Sequence, residues 1–310
     1  MSTHAPHRFS GLSRQVKVSP SMCGHNPMLY ARIGDWTWET VSDLCSTDVS
    51  RARDCNGNPA YLSFVYYRVR GGPRMNPHSI TFGDQLTVRS ASFGFGKENV
   101  LTLHRIAMGE ADTGADPALD LREFYETPRD DCLYVETLNR WISRSVTGSN
   151  DALIGASPEG FRSDNLPPLP AQYSPRGEAG TARRHGTFHP EGVADHDLVV
   201  PDLTTTHAVD LARDLNGVGL LHFASYFSHV DTAVLSVWRS LGRDHHAFLN
   251  RRVTDVRLCY LGNPDADQDL KVTTRLWRSR RDPRIETAEV VLREKRSSRM
   301  LAVASACLLL

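Results

Sequence analysis

Leu220, Phe223, Phe227, Val230, Val234, Val237 and Leu241 follow one another at steps of three and four residues. On a helix of 3.6 residues per turn this spacing gathers them into one apolar stripe. The pattern predicts a helix from about Gly219 to Leu241, roughly 33 Å long at 1.5 Å per residue. His222, Ser225, Ser228, His229 and Thr232 fall on its other faces. A stripe of that length needs a broad apolar surface to cover it. The chain supplies one directly afterwards, in β-branched and aromatic runs at Arg252–Gly262, Asp269–Ser279, Ile285–Lys295 and Arg299–Leu310.

One long helix followed by antiparallel strands predicts an α+β fold in which a curved sheet wraps the helix, the hot-dog arrangement. A ferredoxin-like layer fold would need a second helix after the third strand, and none is evident. The same plan occurs earlier in the chain. A strand-like run at Arg14–Met22 precedes helical spacing over Met28–Cys45, where Leu29, Ile33, Trp36 and Val41 share a face. Strand patterns follow at Asn58–Arg70, Asp84–Gly96, Glu98–Met108 and Cys132–Arg144. Between the halves, residues 155–192 are rich in proline and glycine and hold no sustained apolar period, which reads as a boundary. The expected organisation is a first hot-dog unit over 1–154, a linker over 155–192 and a second unit over 193–310. It is a double hot-dog that rests on pattern, since identity between the halves is low.

Charge narrows the partners. Lys plus Arg and Asp plus Glu both number 36, a formal charge of zero. That balance argues against nucleic acid or anionic lipid as the main partner, because both select for excess positive charge. The N-terminal stretch has no apolar core of the kind a signal peptide carries, and the apolar C-terminal run is too short to span a bilayer. Six cysteines without a CxxC pair indicate neither a zinc site nor a disulfide framework, so a reducing cytoplasm is the simplest setting and no metal is expected.

The approach to the second helix, "RDLNGVGLLHFASYFSHVD", carries the sharpest local signal. Asp214 and Asn216 precede the predicted helix, and Gly217, Val218 and Gly219 sit at its first turn. Helix-start amides lack internal partners and carry partial positive charge. Glycine there lets a polarised carbonyl or enolate oxygen approach the backbone. A capped core helix whose glycines only permit tight packing is the plain alternative.

That stretch resembles the second-half signature of the leinamycin-type bifunctional acyltransferase/decarboxylase family, of the form D-x-N-G-x-G-L-L-x-F-A-x-Y. "GHNPMLYARIGDWTWETV" is similar to the family's first helix entry, with Gly34-Asp35 and Trp38 at matching places. "GNPAYLSFVYYRV" matches the strand that follows. The resemblance implies a double hot-dog enzyme of polyketide biosynthesis. It would load a methylmalonyl-type group from coenzyme A, decarboxylate it, and pass the shorter chain to the phosphopantetheine of an acyl carrier protein. No further cofactor is implied. Tyr61 matches the family's essential tyrosine, as proton donor to the enolate or as acyl acceptor in the transfer, with Tyr66 and Tyr67 the alternatives on the same strand. Val218 and Gly219 amides, assisted by Asn216, would hold the thioester oxygen of the enolate, with Asp214 and Gly217 shaping their loop.

His25 and Asn26, in the loop before the first helix, are candidates to contact the thioester or carboxylate; capping and loop ordering are the alternative. His222 and His229 lie on a similar face of the predicted helix and offer a base and partner, or a satisfied core pair. Arg275, Arg278, Arg280, Arg281 and Arg284 suit coenzyme A phosphates or an acidic carrier helix, and equally an exposed hairpin. Other readings stay open. One is a hot-dog thioesterase or dehydratase, disfavoured by the missing H-x-x-x-G-x-x-x-x-P pattern and by Asp231 standing turns away from the helix start. The other is a non-catalytic acyl-thioester-binding protein. A monomer suffices for such a chain, and a homodimer is compatible with it.

Overall fold

A computed structural model describes residues 8–9, 11–109, 118–144, 149–150, 152–266 and 268–310. Most of the N-terminal stretch read above for a signal peptide lies outside them. The described residues divide into two compact units. The first draws on the described residues within 8–24, 28–144 and 153–175, the second on those within 25–27, 149–152 and 176–310.

In the first unit the elements are β1 (Arg8–Phe9), β2 (Leu12–Lys17), α1 (Met28–Cys45), β3 (Ala60–Arg70), β4 (Gln85–Gly94), β5 (Asn99–Met108), β6 (Leu119–Asp120), α2 (Leu121–Tyr125), β7 (Cys132–Arg144) and β8 (Leu153–Gly155). The antiparallel sheet runs β2-β4-β5-β7-β3, with β8 on the end of β7. Leu29, Ile33, Trp36 and Val41 of α1 are buried, as their spacing requires. Val41 and Cys45 pack with Ala60, Leu62, Val100 and Trp141. The Trp38 indole donates to the Leu62 carbonyl at 2.9 Å, tying helix to strand.

The second unit comprises α3 (Arg176–His185), β9 (His196–Ala208), α4 (Ser225–Ser240), α5 (His245–Asn250), β10 (Arg252–Tyr260), β11 (Asp269–Ser279), β12 (Ile285–Glu294) and β13 (Met300–Leu309). Its sheet order is β9-β11-β12-β13-β10. Replacing each strand by its counterpart in the first half reproduces that unit's order, β2-β4-β5-β7-β3. Each unit is therefore the same α+β hot-dog, a long helix against a curved antiparallel sheet.

Two details differ from the sequence reading. The second helix starts at Ser225 rather than Gly219, because residues 214–222 close into a loop of their own. There the His222 amide donates to the Asp214 carbonyl at 2.8 Å and the Asn216 amide to the Leu220 carbonyl at 2.9 Å. Phe227, Val230, Val234 and Val237 form the buried stripe. Leu220 and Phe223 precede the helix, and Leu241 is its half-exposed cap. Segment 155–192 also contains more order than its composition suggests. It carries the end of β8 and helix α3, and it is divided between the units at Pro175/Arg176. Helix α3 escapes a periodicity search because Ala182 is its one buried residue.

No helix among the described residues is long and apolar enough to cross a membrane.

Candidate active site

The tyrosines of β3 are separated by strand alternation. Ala60, Leu62 and Phe64 are buried, and the first two belong to the cluster under α1. Tyr61, between them, is turned to the other face by the two-residue period and is half-buried. A bulge between Phe64 and Tyr66 resets the register. Tyr67 is then fully buried and its hydroxyl donates to the Tyr30 carbonyl at 3.0 Å. Burial pushes the Tyr67 phenol well above its usual value. Tyr66 is equally enclosed. Of these tyrosines only Tyr61 is open to a ligand, and its hydroxyl bonds to none of the described residues.

Beneath α1 lies a polar chain that the sequence reading did not find. The His104 ring sits between Ser90 Oγ, 2.7 Å from Nδ1, and Thr37 Oγ1, 2.9 Å from Nε2. Thr37 in turn meets Thr137 at 3.3 Å. Burial, aided by the Arg14 charge, pushes His104 down to about 3, so the ring is neutral. The available signal was Thr37, a polar residue interrupting the Ile33–Val41 stripe.

In the second unit Asn216 organises the signature loop. Its Oδ1 accepts from the amides of Val218 (3.1 Å) and Leu220 (3.0 Å), and its carbonyl accepts from the Gly219 amide (3.0 Å). The amides expected to face a ligand oxygen are thus spent inside the loop. Gly219 takes φ +75°, a conformation that L side chains rarely adopt, and its carbonyl accepts from Asn150 Nδ2 at 3.1 Å. Gly217 is exposed, and a methyl group added to its α-carbon would meet none of the described residues within 4 Å.

Asp214 anchors this loop from inside. Its buried carboxylate accepts from Arg213 Nε at 2.9 Å and from the Asp210 amide at 3.0 Å, and its carbonyl accepts from Ser225 Oγ at 3.3 Å. Its Oδ2 stands 3.6 Å from His229 Nε2. Burial pushes the Asp214 carboxyl up, but the Arg213 and Asp210 hydrogen bonds outweigh it and hold the group below the usual carboxylate range. Burial depresses His229 to about 4 despite Asp214. The pair at neutral pH is a carboxylate beside a neutral ring, with His207 stacked 5.5 Å away. His222 precedes α4 and rests against Phe223, so it does not share a helix face with His229.

His25 and Asn26 fall within the second unit. His25 Nδ1 accepts from Arg251 Nη1 at 3.3 Å, while Arg251 Nη2 donates to Asp231 at 2.8 Å. Arg251 is fully enclosed, its guanidinium 3.6 Å from the Phe248 ring centre. Burial and the Arg251 charge lower His25. Asp231, weighed as a thioesterase acid, is therefore bound in an ion pair.

The arginine run is likewise paired. Arg275 meets Asp202, Arg278 meets Glu286, Arg280 meets Asp197, Arg281 meets Asp195 and Arg284 meets Asp282. No cluster of metal-ligating side chains occurs among the described residues.

Residues 13–190 match the model of the LnmK N-terminal Hot Dog Fold domain. No curated protein matches the chain in sequence. Among solved structures, the chain is similar to an acyl-ACP thioesterase from Bacteroides thetaiotaomicron, with TM-score 0.52 and 11% identity over 96% of each chain. It is also similar to a 12:0-ACP thioesterase from Umbellularia californica, with TM-score 0.52 and 13% identity over 96% of this chain and 93% of that one. A Lactobacillus plantarum protein provisionally called an oleoyl thioesterase gives TM-score 0.57 and 10% identity over 96% and 94%. At such identities these likenesses show the fold alone, the hot-dog unit along nearly the whole chain.

Proposed function

Since the chain belongs to the family of the LnmK N-terminal hot-dog-fold domain, we propose that it moves a methylmalonyl-type acyl group from coenzyme A to an acyl carrier protein with loss of carbon dioxide. The family match carries this reading, and the placement of Tyr61 supports it. Hot-dog neighbours named for acyl-carrier thioesters support the coarser part, that the substrate is an acyl thioester.

The chemistry asks little of the protein beyond positioning and charge stabilisation. The bond from the α-carbon to the carboxylate breaks, its electron pair spreads onto the thioester oxygen, and carbon dioxide leaves. An enolate results. A hydrogen-bond donor aimed at that oxygen lowers the barrier, and an acid must then protonate the α-carbon. The Tyr61 hydroxyl, open and not bonded to any described residue, is our candidate for both. A neutral phenol donates readily but needs activation to act as a nucleophile. In the transfer step the carrier's thiol attacks the thioester carbonyl and the coenzyme A thiol leaves.

The signature loop of the second unit is a turn built on Asn216. Its role as an amide cradle would require Val218 and Gly219 to give up their bonds to Asn216. We therefore assign oxygen stabilisation to Tyr61.

Intact-mass spectrometry of a phosphopantetheinylated carrier protein incubated with the enzyme and methylmalonyl-coenzyme A tests the reading. Propionyl-carrier should appear, and should be absent with Tyr61→Phe. A methylmalonyl mass would remove decarboxylation from the scheme. Free acid with no acylated carrier would replace the transferase by a hydrolase, and binding without turnover would leave an acyl-thioester-binding protein.

A further inference from the structure

The second unit holds a cavity of about 170 Å³ on the sheet face opposite α4. Val272, Leu276, Val290 and Leu292 point into the core, so alternation places Arg275 of β11 and Glu289 and Arg293 of β12 on the outer face. The register sets Arg275 directly opposite Glu289, where side chains of opposite charge ordinarily meet. Here they do not. Glu289 accepts from Thr187 Oγ1 and from Trp277 Nε1 (2.9 Å), both neutral donors, and it forms no ion pair with any described residue. Arg275 instead turns its Nε to the Pro201 carbonyl (3.1 Å) and Asp202 (3.2 Å). The cavity lies among them, with Arg293 also lining it.

The wall that completes the cavity comes from the segment read as a linker. Gly186, at φ +68°, ends α3 by donating its amide to the Ala182 carbonyl at 2.9 Å. That turn lowers Thr187 onto Glu289. The carbonyl end of α3 therefore borders the cavity, and its partial negative charge adds to that of Glu289.

The unspent groups decide the ligand's chemistry. Glu289 is nearly inaccessible (4% exposed), and its two hydrogen-bond donors, Thr187 and Trp277, are both neutral. Arg275 Nη1 and Nη2 and Arg293 Nη2 have no bonds to described residues. A plain oxyanion would set its charge beside Glu289 and the α3 terminus. A plain cation would meet the guanidiniums. A molecule that carries both charges a short distance apart satisfies both sides. The volume is well below the roughly 300–1,000 Å³ of a cofactor-sized pocket, so the molecule is small. We propose that this cavity binds a small α-amino acid as its zwitterion, with the carboxylate on Arg275 and Arg293 and the ammonium on Glu289. The site is independent of the acyl-transfer reading.

Isothermal titration calorimetry of the full chain with L-alanine tests it, beside acetate, methylammonium and inorganic phosphate at matched ionic strength. Alanine should bind saturably, and acetate and methylammonium each at least about tenfold more weakly, since each leaves one charge unmet. Glu289→Gln and Arg293→Met should each weaken alanine by about tenfold or more, with thermal unfolding confirming that the variants are folded. Should Glu289→Gln fail to fold, Val291→Phe fills the cavity without removing a charge and must abolish binding. Tighter binding of phosphate or of methylammonium than of alanine, alanine binding that survives Val291→Phe, or no saturable binding of any probe would each overturn the proposal.

Discussion

Asp214 Oδ2 and His229 Nε2 face each other at 3.6 Å with both side chains withdrawn from solvent, joining the signature loop to the second turn of α4. Ser225 and the Asp210 and Arg213 bonds close the same knot. The pair holds a loop in place, and its ionisation ties the stability of the second unit to pH.

The sign of that dependence follows from the depressed histidines. Unfolded histidine titrates near 6.5, whereas folding lowers His229 to about 4 and His104 to about 3. As pH falls below about 6.5 the unfolded chain takes up protons that the folded chain refuses, so stability present above that pH is lost on acidification. Asp214, also depressed, acts in the same direction. His229 and His104 together contribute a slope of about 2.7 kcal/mol per pH unit near pH 5, and the lowered His25, His189 and His207 act in the same direction. Urea unfolding between roughly pH 6 and 4 measures it, and His229→Gln should reduce the slope. An unchanged slope in that variant would remove His229 from the account.

The β3 tyrosines should part company. Tyr61→Phe removes a hydroxyl with no partner among the described residues, so stability should move by no more than about 0.5 kcal/mol while acylation of the carrier is lost. Tyr67→Phe removes the bond to the Tyr30 carbonyl and should cost about 1 kcal/mol, with activity falling only as far as the fold does. Denaturant midpoints and carrier acylation, measured on both variants, check the pattern. Equal stability losses would contradict it.

Within the signature loop the two glycines are not equivalent. Gly219→Ala forces a side chain into φ +75° and should cost about 1–2 kcal/mol. Gly217→Ala meets open space and should be nearly neutral. Asn216→Ala, which strips the bonds to the Val218 and Leu220 amides, should cost about 1–3 kcal/mol and speed hydrogen exchange at both. Exchange rates left unchanged would show that another group holds the turn.

Glu286 is fully buried and accepts from both Arg243 terminal nitrogens at 2.7 Å and from Arg278 Nε at 2.9 Å. Glu286→Ala leaves the partly buried Arg243 without a counter-charge and should cost about 3–5 kcal/mol. Arg284→Ala, whose Asp282 pair is at the surface, should change little. Thermal unfolding of the two variants distinguishes a structural network from a free basic patch.

Strands and helices were legible because burial writes its period into the residues. Cys132–Arg144 is one strand as read, and Leu29, Ile33, Trp36 and Val41 are buried on one helix face. The start of α4 was not legible. Leu220 and Phe223 continue the three-and-four spacing and Leu220 is buried, yet both belong to a loop. Apolar spacing records which side chains leave water and does not record where backbone bonds change from local closure to helix.

The composition and patterning of this chain alone determine two hot-dog units of like topology, since each long apolar stripe requires a sheet and the strands that supply it follow in order. Only the tertiary structure decided which polar groups are available for chemistry. It spent the Val218 and Gly219 amides on Asn216, paired Asp231 with Arg251, enclosed Tyr67 and left Tyr61 open. Availability depends on partners distant in sequence and on the parity of a strand after a bulge, and neither is carried by the local order of residues.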